Sequence, residues 1–360
     1  MDEKKFHWKN LTKNMLCAII AILAVTILLI AIFVNSALNK INRVTDQETL
    51  TPEEIEVILA QTDDPENPIP EEYLETTISE TTPVTEITTE ITNETEAQIL
   101  PTEPAATEPE KASDVINILL VGQDRRIHET RQRSDAMILC SINTETGTLV
   151  MTSFLRDTYV TLPEYNGETY GMNRLNVTYL LGGFEMLNDC LEENFGIHVD
   201  HNVEVDFSGF KAVVDILGGV DIELTRKEAQ IVEGDVHEGM NHLDGGQALM
   251  YARIRKLDND FARTDRQRKV LMALFEKTRD IGIQEVVKLI DILLPLITTD
   301  MDKSDIIGYI ARIYPIWHDL QIITQSVPTK GEYHYKWIDG MSVVVPNVNK
   351  VRQRISETIG

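Results

Sequence analysis

Residues Met15 to Val34 (MLCAIIAILAVTILLIAIFV) form an uncharged apolar run of twenty. As a helix, a run of that length crosses a hydrocarbon core of ~30 Å. Lys4, Lys5, Lys9 and Lys13 precede it, so the positive-inside rule expects residues 1–14 in the cytoplasm and the rest of the chain outside. A cleaved signal peptide fits less well, because the run exceeds the usual ~7–15 apolar residues and no clean small-x-small site follows. The expectation is a cytoplasmic tail over 1–14, a transmembrane anchor over 15–34 and an extracellular remainder.

The next stretch is of a different kind. Val44 to Asp114 holds 20 acidic residues against one lysine, so most of the chain's formal charge of −25 lies there. It is rich in Thr, Glu and Pro and almost free of aromatics, and it cannot bury enough apolar area to offset its ordering entropy. Residues 35–114 therefore read as a disordered spacer, extended by its own charge. Asn93-Glu94-Thr95 matches a glycosylation sequon, a pattern short enough to arise by chance. What remains to be folded is 115–360, the length of one large domain.

That region alternates short apolar runs with helical patterns. Val115–Val121, Ala136–Ile142 and Leu149–Phe154 read as strands covered on both faces. Asn176–Phe195 has helical spacing interrupted by Gly182-Gly183, and further strands are expected at His201–Val205, Val220–Leu224, Gln321–Val327 and Met341–Val345. Helices are expected at Ser208–Leu217, Gly246–Tyr251, Arg263–Asp280, Ile283–Ile297 and Ser304–Trp317, with one more at the end of the chain. The alternation implies a layered α/β domain with a central sheet. Three cysteines make no disulfide framework. Cys17 lies in the apolar run, and spacing alone leaves a Cys140–Cys190 bridge open. No GxSxG elbow or GxxxxGK[ST] loop is present, so serine-hydrolase and P-loop chemistry lack support.

Against the acidic background, arginine and aspartate cluster at a few places: Asp124-Arg125-Arg126, Arg133-Ser134-Asp135, Arg156-Asp157, Arg253-Ile254-Arg255 and Arg263-Thr264-Asp265-Arg266-Gln267. Guanidinium is a planar, permanently charged fork that matches phosphate oxygens in pairs. Carboxylates among such arginines suit a hard cation such as Mg²⁺, which also draws ligands from phosphate. Asp124 and Arg126 follow the first strand, at the sheet edge where α/β folds bind ligands. Arg133 and Asp135 are two apart at a strand start and share a face. Arg263, Arg266 and Gln267 share one face in the first turn of a helix. Any one of these arginines is as well explained by a surface ion pair. As a set they imply a site for a metal-bound diphosphate.

The pieces ILLVGQDRR, RSDAMILCSIN, SFLRDTYV, GMNRLNVTYLLGG, HLDGGQALMYARIRK and DNDFARTDRQRKVL, in this order from Asn117 to about Leu271, resemble the LytR-CpsA-Psr family of cell-wall ligases. The resemblance implies a three-layer α/β/α sandwich around a mixed sheet, with an apolar pocket for a polyprenyl chain. It implies transfer of an anionic glycopolymer (teichoic acid, capsule or another) from undecaprenyl pyrophosphate to peptidoglycan through a phosphodiester bond. Carried over by position, Asp124 and Asp135 are the Mg²⁺ ligands. Arg133, Arg156, Arg255 and Arg263 hold the pyrophosphate, with Arg253, Arg266 and Gln267 in support. Arg174 stands where lysine is common in the family, and Ala262 replaces the glycine of its usual DFGR. Asp135 is the first candidate for general base and Asp260 the second. Phe184, Leu187, Phe210, Val213 and Leu217 are candidates for the lipid pocket or for ordinary core. Two other functions use the same residues: a polyprenyl-pyrophosphate hydrolase and a non-catalytic lipid-binding regulator. A cytoplasmic tail of fourteen residues is too small for a DNA-binding fold, so no nucleic-acid partner is expected.

Overall fold

The computed structural model describes residues 42–43, 114–123, 133–255 and 257–359. The expected cytoplasmic tail, anchor and nearly all of the acidic spacer lie outside these residues, as do Asp124 and Arg126. Among the described residues no helix is long and apolar enough to cross a membrane.

The three apolar runs form an antiparallel meander of β2 (Val115–Gln123), β3 (Ser134–Asn143) and β4 (Thr148–Phe154). Two strands then extend it in parallel: β7 (His201–Asp206) beside β2 and β11 (Gln321–Val327) beside β4. The two-residue strands β10 (Thr298–Thr299) and β1 (Asn42–Arg43) complete a seven-stranded mixed sheet of order β1-β10-β7-β2-β3-β4-β11.

Side chains alternate across a strand, so β2 and β3 feed two cores. Leu119, Val121, Met137 and Leu139 face α1 (Asn176–Phe195) and α8 (Val348–Ile359). Ile116, Ile138, Leu149 and Met151 face the opposite layer, where α5 (Asp260–Thr278) and α7 (Lys303–Ile313) pack. The apolar runs lack a polar face because both faces are covered. Cys140 and Cys190 fall in these two opposite cores and are unpaired.

The diglycine in α1 interrupts it as expected. Gly183 has φ 63° and ψ −143°, a backbone that an L side chain rarely adopts. One expectation is corrected. Helix α5 begins at Asp260, not Arg263, because the Asn259 side chain accepts a hydrogen bond from Ala262 N and caps the helix there. Of the two readings left open for Phe184 and Leu187, the structure gives core: both are buried in the cluster that α1 forms against the sheet.

Three hairpins flank the sheet: β5 (Tyr159–Thr161) with β6 (Met172–Arg174), β8 (Val220–Leu224) with β9 (Gly239–Leu243), and β12 (Tyr333–Ile338) with β13 (Met341–Pro346). Strands β5, β6, β9 and β12 went unread in the sequence. They are short and mix polar with apolar residues, so they carry no apolar run.

Candidate active site: an arginine cluster at the mouth of an apolar pocket

The site begins with strand register. Ile138 of β3 lies opposite Ser153 of β4. Asp135 lies at the start of β3 and Arg156 two residues past the end of β4, so the two come from the same end of this strand pair. Arg156 Nη1 donates to Asp135 Oδ1 at 3.2 Å, and Arg255 Nη2 reaches the same oxygen at 3.2 Å. Arg255 comes from the turn after α4 (Gly245–Ala252). Helix α5 adds Asp260 and Arg263, one helical turn apart, with 2.5 Å between Asp260 Oδ1 and Arg263 Nη2. Arg156 Nε lies 3.4 Å from Asp157 Oδ2 and 3.9 Å from Asp260 Oδ1. Arg174 of β6 closes the group, 3.4 Å from Asp157 Oδ1.

Four arginines (156, 174, 255 and 263) thus meet three carboxylates (135, 157 and 260), and the surplus charge favours an anion. Burial works against the charge on Arg156, but Asp157, Asp260 and Asp135 outweigh it and hold the guanidinium firmly protonated. Burial pushes the Asp260 carboxyl above its ordinary value and Asp157 pushes it further, while Arg263 and Arg156 pull it down. The Arg263–Asp260 approach is close but poorly aligned. Arg263 Nε and Nη2 and Asp260 Oδ2 are buried with no hydrogen-bond partner among the described residues. Unspent donors of this kind are costly to bury unless a ligand takes them up.

The cluster opens onto an apolar pocket with a cavity volume of about 240 Å³. Its floor is the sheet, through Leu120, Ile138 and Val203, and its walls are α2 (Phe207–Ile216), α4 and α5. Along α5 the lining runs Arg263, Gln267, Leu271, Leu274. These share one helix face, so the wall turns from charged to apolar over about 16 Å. Phe210 and Val213 line the opposite wall, while Leu217 is not among the lining residues. Helices α2 and α4 approach closely because Gly245 has no side chain; a Cβ there would run into the Lys211 carbonyl.

The remaining candidates divide. Arg253 lines the mouth, its guanidinium 4.2 Å from the centre of the Phe207 ring. Gln267 lines it too, and its buried Oε1 has no hydrogen-bond partner among the described residues. Arg133 is half-buried just before β3. Arg266 is turned away from the mouth. Its Nε donates to Glu228 Oε1 at 2.7 Å, its Nη1 to Ile254 O at 3.0 Å and its Nη2 to Asp258. It braces the turn that carries Arg253 and Arg255, and the shared helix face with Arg263 did not foretell this. Asp157, Phe207 and Glu228 were missed as contributors; only Asp157 had a signal, its place beside Arg156.

The LytR_cpsA_psr family profile matches residues 76–358. The chain belongs to this family. One relative is the polyisoprenyl-teichoic acid–peptidoglycan teichoic acid transferase TagU of Oceanobacillus iheyensis, 35% identical over 204 residues. That alignment covers 54% of this chain but 61% of the relative, under two thirds of its length. Among solved structures, Bacillus subtilis TagV is 27% identical with a TM-score of 0.58, covering 69% of this chain and all but 2% of its own, 98% being matched. A structure of TagT bound to LI-WTA is 28% identical, with a TM-score of 0.56 and coverage of 70% of this chain and 92% of that one. Both share the mixed α/β fold with a central mixed sheet.

Proposed function

We propose that this protein is a membrane-anchored, extracellular phosphotransferase. It moves an anionic glycopolymer from an undecaprenyl-pyrophosphate carrier to peptidoglycan and forms a phosphodiester bond. One juxtaposition carries this: an apolar pocket whose mouth is ringed by Asp135, Arg253, Arg255 and Arg263. A polyprenyl tail suits the pocket, and a pyrophosphate suits the arginines. The relatives named as teichoic acid transferases support the same substrate class.

In the reaction, the oxygen of an acceptor hydroxyl bonds to the phosphorus nearer the glycan. The bond from that phosphorus to the bridging oxygen breaks, and polyprenyl phosphate leaves. Arg156, Arg255 and Arg263 are fixed in advance where charge grows on the phosphoryl oxygens, so little reorganisation is required. The hydroxyl proton goes to Asp260. Both carboxylates share an Oδ1 between two guanidinium groups, but Asp260 has the raised proton affinity and a buried Oδ2 with no hydrogen-bond partner among the described residues to take the proton.

Asp135 fits a Mg²⁺ ion. It lines the mouth with its side chain 26% exposed. Asp124, the second ligand that the family resemblance implies, lies outside the described residues, and pyrophosphate oxygens and water would complete the set, as is common for Mg²⁺. Such an ion, once bound, offsets phosphate charge.

The test incubates the full-length protein in detergent with a polyprenyl-pyrophosphate oligosaccharide, peptidoglycan glycan strands and Mg²⁺, read by mass spectrometry. Sugar phosphate joined to the strands supports transfer. Free sugar phosphate alone would establish a hydrolase instead, and lipid binding without product a regulator.

A further inference from the structure

An aromatic ladder starts beside Asp260, outside the lining of the apolar pocket. On β12, Tyr333, Tyr335 and Trp337 alternate and so share one face, while His334 and Lys336 take the other. Phe261, the residue after Asp260, stacks on Tyr333 with ring centres 5.0 Å apart and planes 29° apart. Tyr335 meets Tyr333 edge-on at 5.5 Å. Trp337 ends the row and is 57% exposed.

The strand is held firmly beside the site. Its partner β13 is bonded to the loop that carries Arg156, through Val344 N donating to Asp157 O at 3.0 Å. At the start of β12, Glu332 accepts from Arg354 Nε at 2.6 Å, tying the hairpin to α8. From Tyr333 to Trp337 the ladder runs about 14 Å, the reach of a short oligosaccharide.

We infer that this aromatic face docks the acceptor glycan strand and delivers its hydroxyl to the reacting phosphorus; the inference rests on the transfer reaction proposed above. Aromatic rings with polar tips offer an apolar surface to the C–H face of a sugar ring and hydrogen bonds at its rim. Trp337 continues the partly exposed face of Tyr333 and Tyr335, so the three rings present one contiguous surface. The ladder carries no guanidinium or ammonium group, so it suits the sugar backbone of the acceptor better than the phosphate-rich donor polymer, which calls for arginine. Position points the same way. In-line displacement needs the hydroxyl opposite the departing lipid phosphate. The departing group belongs to the pocket, whose lining includes neither Asp260 nor Phe261 nor Tyr333, and the ladder begins at Phe261, next in the chain to Asp260.

The experiment uses full-length protein in detergent with uncross-linked glycan strands of alternating N-acetylglucosamine and N-acetylmuramic acid. Calorimetry in the absence of donor measures strand binding to the wild type, Trp337→Ala and Trp337→Phe. The expected result is at least about tenfold weaker binding for Trp337→Ala, recovered for Trp337→Phe, a loss typical of an aromatic anchor. Affinity for undecaprenyl pyrophosphate stays unchanged, and in the transfer assay only the KM for strands rises. Strand binding by a wild type that transfers nothing would sink the transferase but keep the ladder. Strand affinity indifferent to Trp337 would overturn the inference. So would a rise confined to the donor KM, or loss of binding to anionic vesicles in place of strands, which would make the face a membrane contact.

Discussion

Asp135 near the start of β3 and Arg156 just past the end of β4 meet at 3.2 Å, and Arg255 reaches the same aspartate oxygen at 3.2 Å. The carboxylate holds two guanidinium groups together in readiness for a ligand that carries more charge than it does.

Replacing Asp135 with asparagine leaves Arg156 and Arg255 mutually repelling and removes the carboxylate proposed to bind Mg²⁺. The expected outcome is a loss of transfer of at least about 100-fold, in keeping with removal of preorganised charge. The melting temperature should move by no more than about 3 °C, because the Asp135 side chain is partly exposed and such pairs contribute little to stability. Scanning fluorimetry beside the transfer assay checks both. A large fall in melting temperature would make Asp135 a structural residue.

Arg266 should behave in the opposite way. With Glu228, Asp258 and the Ile254 carbonyl on its three sides it supports the chain and does not meet the ligand. Arg266→Ala strands the buried Glu228 carboxylate and should cost about 3–5 kcal/mol in urea unfolding. Burial alone would raise the Glu228 carboxyl, but Arg266 and Thr225 bring it below its ordinary value. A depressed carboxylate lends stability above its unfolded value and loses it as pH falls through the folded one. The difference between wild type and Arg266→Ala should therefore be full at neutral pH and shrink below about pH 4.

The arginine clusters and apolar strands were legible because each is a local signal. A run of β-branched and leucine residues declares a covered strand, and guanidinium groups in an acidic chain declare an anion site. What could not be read was direction. Arg263 and Arg266 are three apart on one helix, yet one faces the pocket mouth and the other a distant glutamate, since Glu228 lies 38 residues away in sequence. Phe184 and Phe210 are equally apolar, and only the sheet decides that one is core beneath α1 and the other pocket wall. The β12 ladder stayed hidden because its meaning depends on Phe261, a contact formed only by folding.

Pocket and mouth can be separated experimentally. Val213 lines the apolar part of the pocket, and Val213→Trp should fill it without touching an arginine. Affinity for a long polyprenyl pyrophosphate should fall by about tenfold or more, whereas inorganic pyrophosphate should bind as before; each buried CH₂ contributes about 0.8 kcal/mol to the lipid alone. Equal losses for both ligands would mean that the pocket does not hold the tail.

Asp260 offers the sharpest test of the chemistry. A carboxylate base works in its ionised form, so activity is present above its titration point and lost as pH falls through it. Burial and the neighbouring Asp157 raise that point, so the acid limb of kcat/KM should lie above the ordinary aspartate value of about 3.9. Asp157→Asn removes one of the raising charges and should move the limb downward. Asp260→Asn should abolish the limb and lower the rate by about 100-fold or more, the usual contribution of a positioned base. Full-length protein assayed between pH 4 and 8 (roughly the range in which a raised carboxylate titrates) reads both variants. An acid limb that persists in Asp260→Asn would transfer the base to another group, with Asp135 next in line.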